Sequence, residues 1–468
     1  MGMLAMIVLA RKLSPQDFGM VSIVEVLLTM IAGITTAGIP EYLLAYRKED
    51  QQSIFNAAFW LSTSMAILLC VVFLIILPFW ADFNNNETLV SIGYPLLFVF
   101  LVGQGSSIFK ASLSKGLDFR KQVRIQYITL FALPITKVIL ALFNFGVYSL
   151  IIPAVIFTPI ESLLLYRSAN FKIRWSLGLD RWKEIFKFTK SIIANSLIVN
   201  FTDNLDKILL AKFLDLSSLG VYNLAWTFAN FFTSNIVSVT NGILSAILPK
   251  YTTVEELREQ YFKFLNLMVV FIGFAIFYLG FGAKTWVLAL YGEKWMMAVV
   301  PVQIISVYAF FRALTSSYGS IVNTFHQPQK SLIVNIFYTP CHMLGSIAGI
   351  YFGGVIGLAI SVTLVRLIFI QWGITQVMHL LHEKFIDYYK RLSKSLGYIL
   401  TFIILSVIIS FIAERIYSGV ATNIIVLVII VPLYFGLLYY FTSTRVYWTM
   451  MYGFVRPKLD GILKTKTP

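Results

Sequence analysis

Seven ionisable side chains sit inside stretches otherwise apolar enough to span a bilayer: Lys137, Arg312, Arg366, Glu25, Asp203, Asp206 and Lys207. A charge facing lipid at the middle of a membrane helix costs about 2.5–3.5 kcal/mol on insertion scales, so these groups must face an interior space or one another. Asp203 and Lys207 stand four apart, acid before base, the helical spacing of an ion pair or of a gate that breaks one. Lys137, Arg312 and Arg366 have no acid within one helical turn. Cations held in a water-filled lumen attract an anion such as a phosphate headgroup; pairing with acids from other helices is the alternative. Polar residues add a wall. Asn223, Thr227, Asn230, Ser234, Ser238 and Asn241 recur at helical spacing along one face, a stripe running about 27 Å at 1.5 Å per residue. Ser22, Glu25, Thr29, Gly33 and Thr36 form a weaker version. Such a stripe either packs helices together or lines a lumen, and its length favours the lumen. Glu25, Asp203, Asp206 and Lys207 are the candidates for a gate or for coupling to H+ or Na+.

Other chemistries find little support. GFGAKT (280–285) lacks the adjacent Gly-Lys pair of a phosphate-binding loop. His379 and His382 have no further ligand cluster, so neither a metal site nor a bound cofactor is expected. His342, within a helix, could titrate in proton coupling. Cys70 and Cys341 lie in apolar stretches, which speaks against a disulfide framework. No long outward loop exists to house a polymerase or transferase site, so the chain does not read as an enzyme.

The elements that carry these residues are membrane helices. The chain is 58% hydrophobic and 13% charged, with a mean hydropathy of +0.80; a soluble domain is about a quarter charged. Apolar runs predict helices at 1–12, 19–45, 54–80, 88–109, 125–143, 146–166, 190–213, 219–246, 262–290, 297–322, 331–351, 354–381, 396–413 and 422–441. The first is too short to cross, as if the chain began late. Basic loops at 110–124, 167–190, 250–263 and 382–395 alternate with loops almost bare of Lys and Arg, such as ADFNNNET (81–88). The basic loops, and the tail with Arg456, Lys458, Lys464 and Lys466, therefore face the cytoplasm, and LSPQDFG faces outward. The net charge of +15 is thus an orientation signal and calls for no nucleic acid. In LDRWKEIFKFTK, Lys183, Lys187 and Lys190 share one helical face, which predicts a basic amphipathic segment at the cytoplasmic surface.

One sentence is written twice. ARKLSPQDFGMVS aligns with AKFLDLSSLGVYN, setting Arg11 on Lys212, Gly19 on Gly220 and Ser22 on Asn223. GVYSL (146–150) is echoed by GVIGL (354–358), and FALP (131–134) by FYTP (337–340). Six helices per copy make the repeats parallel. The expected organisation is an N-terminal bundle at 1–175, an amphipathic linker at 176–189, a C-terminal bundle at 190–381, and two extra helices with a basic tail at 382–468.

With ARKLSPQDFGMVS, KGLDFRK (115–121), FNFGVYSL (143–150) and DKILLAKFLDLSSLGVYNLAW, nearly the whole chain resembles the polysaccharide biosynthesis flippases. These are O-antigen and exopolysaccharide exporters, here nearest the colanic-acid-exporter-like branch, of the multidrug/oligosaccharidyl-lipid/polysaccharide (MOP) superfamily. The resemblance implies an all-α, MATE-like fold of about fourteen transmembrane helices in the bacterial inner membrane. Two six-helix bundles would enclose a lumen. It implies alternating-access transfer of an undecaprenyl-pyrophosphate-linked oligosaccharide, with membrane lipids, a polysaccharide polymerase and a chain-length regulator as partners. It also implies further residues ahead of ARKLSP. Within that frame Lys137, Arg312 and Arg366 are the candidates for the headgroup, and Asn223, Thr227, Asn230 and Ser234 for the glycan or water. A cation-coupled drug antiporter of the same superfamily and a truncated, inactive paralogue are the alternatives.

Overall fold

A backbone crossing lipid must satisfy its N–H and C=O groups internally, so apolar runs become helices. The computed structural model describes residues 2–46, 50–247, 253–325, 327, 329–416, 426 and 428–436, and all regular structure among them is helical. The elements are α1 (Gly2–Lys12), α2 (Pro15–Thr36), α3 (Ile39–Ala45), α4 (Gln51–Phe83), α5 (Thr88–Gly103), α6 (Gly105–Lys115), α7 (Phe119–Leu142), α8 (Tyr148–Ser168), α9 (Leu179–Phe213), α10 (Leu216–Ile247), α11 (Val254–Phe281), α12 (Ala283–Trp286), α13 (Val299–Thr315), α14 (Tyr318–Thr324), α15 (Gln329–Leu380) and α16 (Phe385–Ile416). Residues 426 and 428–436 are helical as well. Among the described residues, nine spans are long and apolar enough to cross a membrane. The fold is that of an all-α, multi-pass membrane protein with fourteen helical segments, once short breaks are bridged.

The breaks have local causes. Gly38, with φ 78°, separates α2 from α3, and α15 turns back at Gly353 and Gly354, the latter with φ 56°. Both are left-handed backbone positions that glycine adopts without steric cost. At the basic side the helices outrun the apolar runs. α7 begins at Phe119 rather than 125, and α11 at Val254 rather than 262. The amphipathic stretch read as a separate surface segment is the first part of α9. There Lys183, Lys187 and Lys190 are exposed while Ile185 and Thr189 are buried. The basic tail lies outside the described residues, as do the side chains of Ser238 and Asn241.

The chain forms two compact units. Unit 1 comprises residues 1–227, 290–301 and 332–365. In it α8 packs on α5 and α7, and α2 packs on α9 and α5. Lys110 pairs with Glu161 at 2.8 Å, joining α6 to α8. Gln52, Asn56 and Trp60, four apart on α4, hold the main chain of the 169–178 linker. Trp60 Nε1 donates to Arg174 O at 2.7 Å, and Asn56 Nδ2 donates to Ser176 O at 2.6 Å. Arg174 N donates back to Asn56 Oδ1 at 2.7 Å, and Lys172 N to Gln52 Oε1 at 3.0 Å.

Unit 2 comprises residues 228–289, 302–331 and 366–468. Here α16 packs on α11. Arg391 bridges Glu259 at 2.7 Å and Glu383 at 2.8 Å, and Ser395 Oγ donates to Asn266 Oδ1 at 2.6 Å. Tyr434 donates to Val270 O at 2.7 Å and stacks on Phe274 at 4.3 Å, which seats the last described helix on α11.

Candidate functional site

In unit 1, α1, α2, α7, α8 and the start of α10 enclose a cavity of about 280 Å³. Its polar and charged lining is Ser22 and Glu25 from α2, Lys137 from α7, and Asn223 and Thr227 from α10. The rest is apolar, including Met6, Phe18 and Pro134. The shared register explains how two helices meet at one space: Ser22 and Asn223 are equivalent positions of the repeat, and both face the cavity.

Glu25 is exposed to this space although its neighbours Ile23, Val24 and Val26 are buried. It lies within electrostatic reach of Lys137 and of Lys207. Lys137 therefore has an acid beside it, contributed by a helix 112 residues away. Among the described residues, Lys137 and Glu25 are the one cation and the one carboxylate of the lining, while Lys207 stands beside the buried Asp206 carboxylate, whose Oδ1 accepts from Lys207 N at 2.9 Å.

The remaining α9 candidates divide. Asp206 is buried, and its Oδ2 accepts from Tyr222 Oη at 2.6 Å, which ties α9 to α10. Lys207 Nζ donates to Asn204 Oδ1 at 3.1 Å, and Asp203 is exposed. Tyr222 and Asn204 were not legible as site residues, because neither carries a charge and neither falls on the polar stripe of α10. The α1 lining (Gly2, Ala5, Met6, Leu9) was missed for the same reason.

Asn230, Ser234, Arg312 and Arg366 belong to unit 2. Arg312 Nη1 donates to Asn230 Oδ1 at 3.1 Å, and Ser234 Oγ donates to Asn230 O at 2.8 Å. The Arg366 guanidinium lies 6.0 Å from the centre of the Tyr308 ring, an arrangement in which the ring face stabilises a cation.

Residues 8–300 match the family model described as "Polysaccharide biosynthesis protein". The chain is 23% identical over 380 residues to the lipopolysaccharide biosynthesis protein WzxC of Escherichia coli K12, covering 79% of this chain and 75% of that one. In fold it is similar to the lipid II flippase MurJ in an inward closed conformation. That match has a TM-score of 0.67 at 14% identity and covers 94% of this chain and 96% of that one. It is also similar to a multidrug-resistance MATE family transporter of the MOP superfamily, with a TM-score of 0.63 at 14% identity, covering 81% and 95%. With its family model spanning more than half of its length, and with the membrane helices and charged cavity described above, the chain belongs to the polysaccharide biosynthesis protein family.

Proposed function

We propose that the protein translocates a lipid-linked oligosaccharide repeat unit, carried on undecaprenyl pyrophosphate, from the inner to the outer leaflet of the bacterial inner membrane. It is a multi-pass transporter of surface polysaccharide biosynthesis and not an enzyme. The observation that carries the cargo assignment is the cavity of unit 1, where the Lys137 ammonium, with Glu25 in electrostatic reach, sits among apolar helices beside neutral polar side chains. A pyrophosphate needs the first and a glycan the second. Lys137 in unit 1, and separately Arg312 and Arg366 in unit 2, are the candidates for the headgroup, and Asn223 and Thr227 in unit 1, and Asn230 and Ser234 in unit 2, for the sugars or water. Glu25, Asp203, Asp206 and Lys207 would serve gating or coupling to H+ or Na+, with alternating access between the bundles at 1–175 and 190–381. A polymerase and a chain-length regulator would take the product on the outer side. The test is a deletion strain. Loss of surface polymer together with accumulation of the lipid-linked repeat unit on the cytoplasmic leaflet supports the assignment. Unchanged surface polymer with no such accumulation contradicts it.

A further inference from the structure

The twice-written segment meets itself. Gly19 on α2 and Gly220 on α10 occupy the same place in the two copies. A Cβ built on Gly19 would stand 1.8 Å from the main-chain oxygen of Leu216, and one on Gly220 would stand 1.8 Å from that of Pro15. Pro15 and Leu216 are themselves equivalent positions, so the contact is reciprocal. It is made by backbone against backbone, and no rotamer could relieve a side chain placed there.

Two further features repeat with the same symmetry. Each helix start carries a capping pair, with the residue types exchanged. Ser14 caps α2 and Asp17 closes the box, Ser14 N donating to Asp17 Oδ2 at 2.8 Å. Asp215 caps α10, accepting from Ser218 N at 2.6 Å. The cations that end the preceding helices reach across the copies. Arg11 Nε donates to Leu290 O in the second copy at 2.9 Å, and Lys212 Nζ donates to Phe83 O in the first at 3.2 Å. Phe83 and Leu290 are 207 residues apart, matching the 206 and 208 of the later repeat echoes. Around the first copy the turn at 290–295 adds a clasp: Trp295 Nε1 donates to Ala10 O at 2.8 Å and Lys294 Nζ to Arg11 O at 2.9 Å.

This crossing lies at the end of α2 and α10 that the loop charges place outward. The cavity lining begins directly inside it, with Phe18, Ser22 and Asn223. We infer that the paired segments 10–22 and 211–223 form the outward seal of the transport path. Closed, it rests on the Gly19–Gly220 backbone crossing and on the crosswise donors Arg11 and Lys212, and its parting releases cargo outward. The inference presupposes the outward transport proposed above. Main-chain acceptors suit donors that must let go without stranding a charge.

The test is external accessibility of a cysteine beneath the crossing. Ser22→Cys and Asn223→Cys are placed separately in a chain carrying Cys70→Ser and Cys341→Ser, and spheroplasts are treated with a membrane-impermeant methanethiosulfonate. With both glycines intact, labelling is expected to be slow. With Gly19→Ala or Gly220→Ala it should rise about tenfold, the change that ~1.4 kcal/mol against the closed form produces. Should the alanine variants fail to reach the membrane, Arg11→Gln with Lys212→Gln decides, and the same rise is expected. Fast labelling with the glycines and both donors intact, or no rise in any variant present at wild-type membrane level, would overturn the seal. Cargo is read separately: a rise in labelling in a chain that exports no lipid-linked oligosaccharide keeps the seal and removes the cargo assignment.

Discussion

Lys137 and Glu25 set the charge of the cavity, and they come from helices whose residues are far apart in the chain. That distance is why the sequence shows two charges inside apolar stretches but not their meeting. If Lys137 contacts a pyrophosphate, Lys137→Ala should remove a desolvated charge contact worth about 2–5 kcal/mol and slow export by roughly 30-fold or more. Lys137→Arg should keep part of the export, because the charge remains. Surface polysaccharide at matched membrane levels measures both. If Lys137 instead serves only to neutralise Glu25, adding Glu25→Gln to Lys137→Ala should restore export, and that recovery would contradict a headgroup role. The same logic applies in unit 2, where Arg312 bonds the neutral Asn230. Arg312→Lys is expected to retain export that Arg312→Ala loses, measured in the same strain. Lys110 is the opposite case. It counts among the basic loop residues in the sequence, yet it is bound to Glu161. Hydropathy registers a charge without registering its partner.

At the scale of elements, every long apolar run was legible, and the errors are systematic. Hydropathy marks where lipid ends, whereas a helix ends where its backbone loses partners or its caps intervene. The basic ends of α7, α9, α11 and α16 therefore extend past the apolar runs. Breaks inside runs escaped for a related reason. The Ala37–Gly38 step and the junction at Gln104 do not alter composition, only backbone direction. The α6–α8 ion pair offers an element-level prediction. Both side chains are about a quarter exposed, at 31% and 21%, so the pair is only partly screened. Lys110→Met alone should lower the melting temperature in detergent by leaving Glu161 uncompensated, and Lys110→Met with Glu161→Leu should recover most of the loss. Equal destabilisation by the single and double variants would mean that the pair contributes nothing through its charge.

For the whole molecule, the repeat and the apolar runs carried fold class, because it is set by bilayer physics rather than by fine packing, and the alternation of basic and bare loops carries the expected orientation. The site was legible in part. Glu25, Lys137, Asn223 and Thr227 line one cavity, while Asp206 ties α9 to α10 through Tyr222. A reporter fused near Lys187 should read cytoplasmic and one near Asn85 periplasmic; the reverse would break the topology on which the outward seal depends. The central claim is that this chain moves a lipid-linked oligosaccharide, and reconstitution tests it most directly. Purified protein is placed in liposomes with a labelled undecaprenyl-pyrophosphate oligosaccharide, and the fraction of label reachable by an external glycosidase is followed in time. The account predicts that protected label becomes reachable with the intact chain, and that Lys137→Ala returns the rate close to that of protein-free liposomes. A folded wild-type chain that leaves the label as protected as in protein-free liposomes would contradict it.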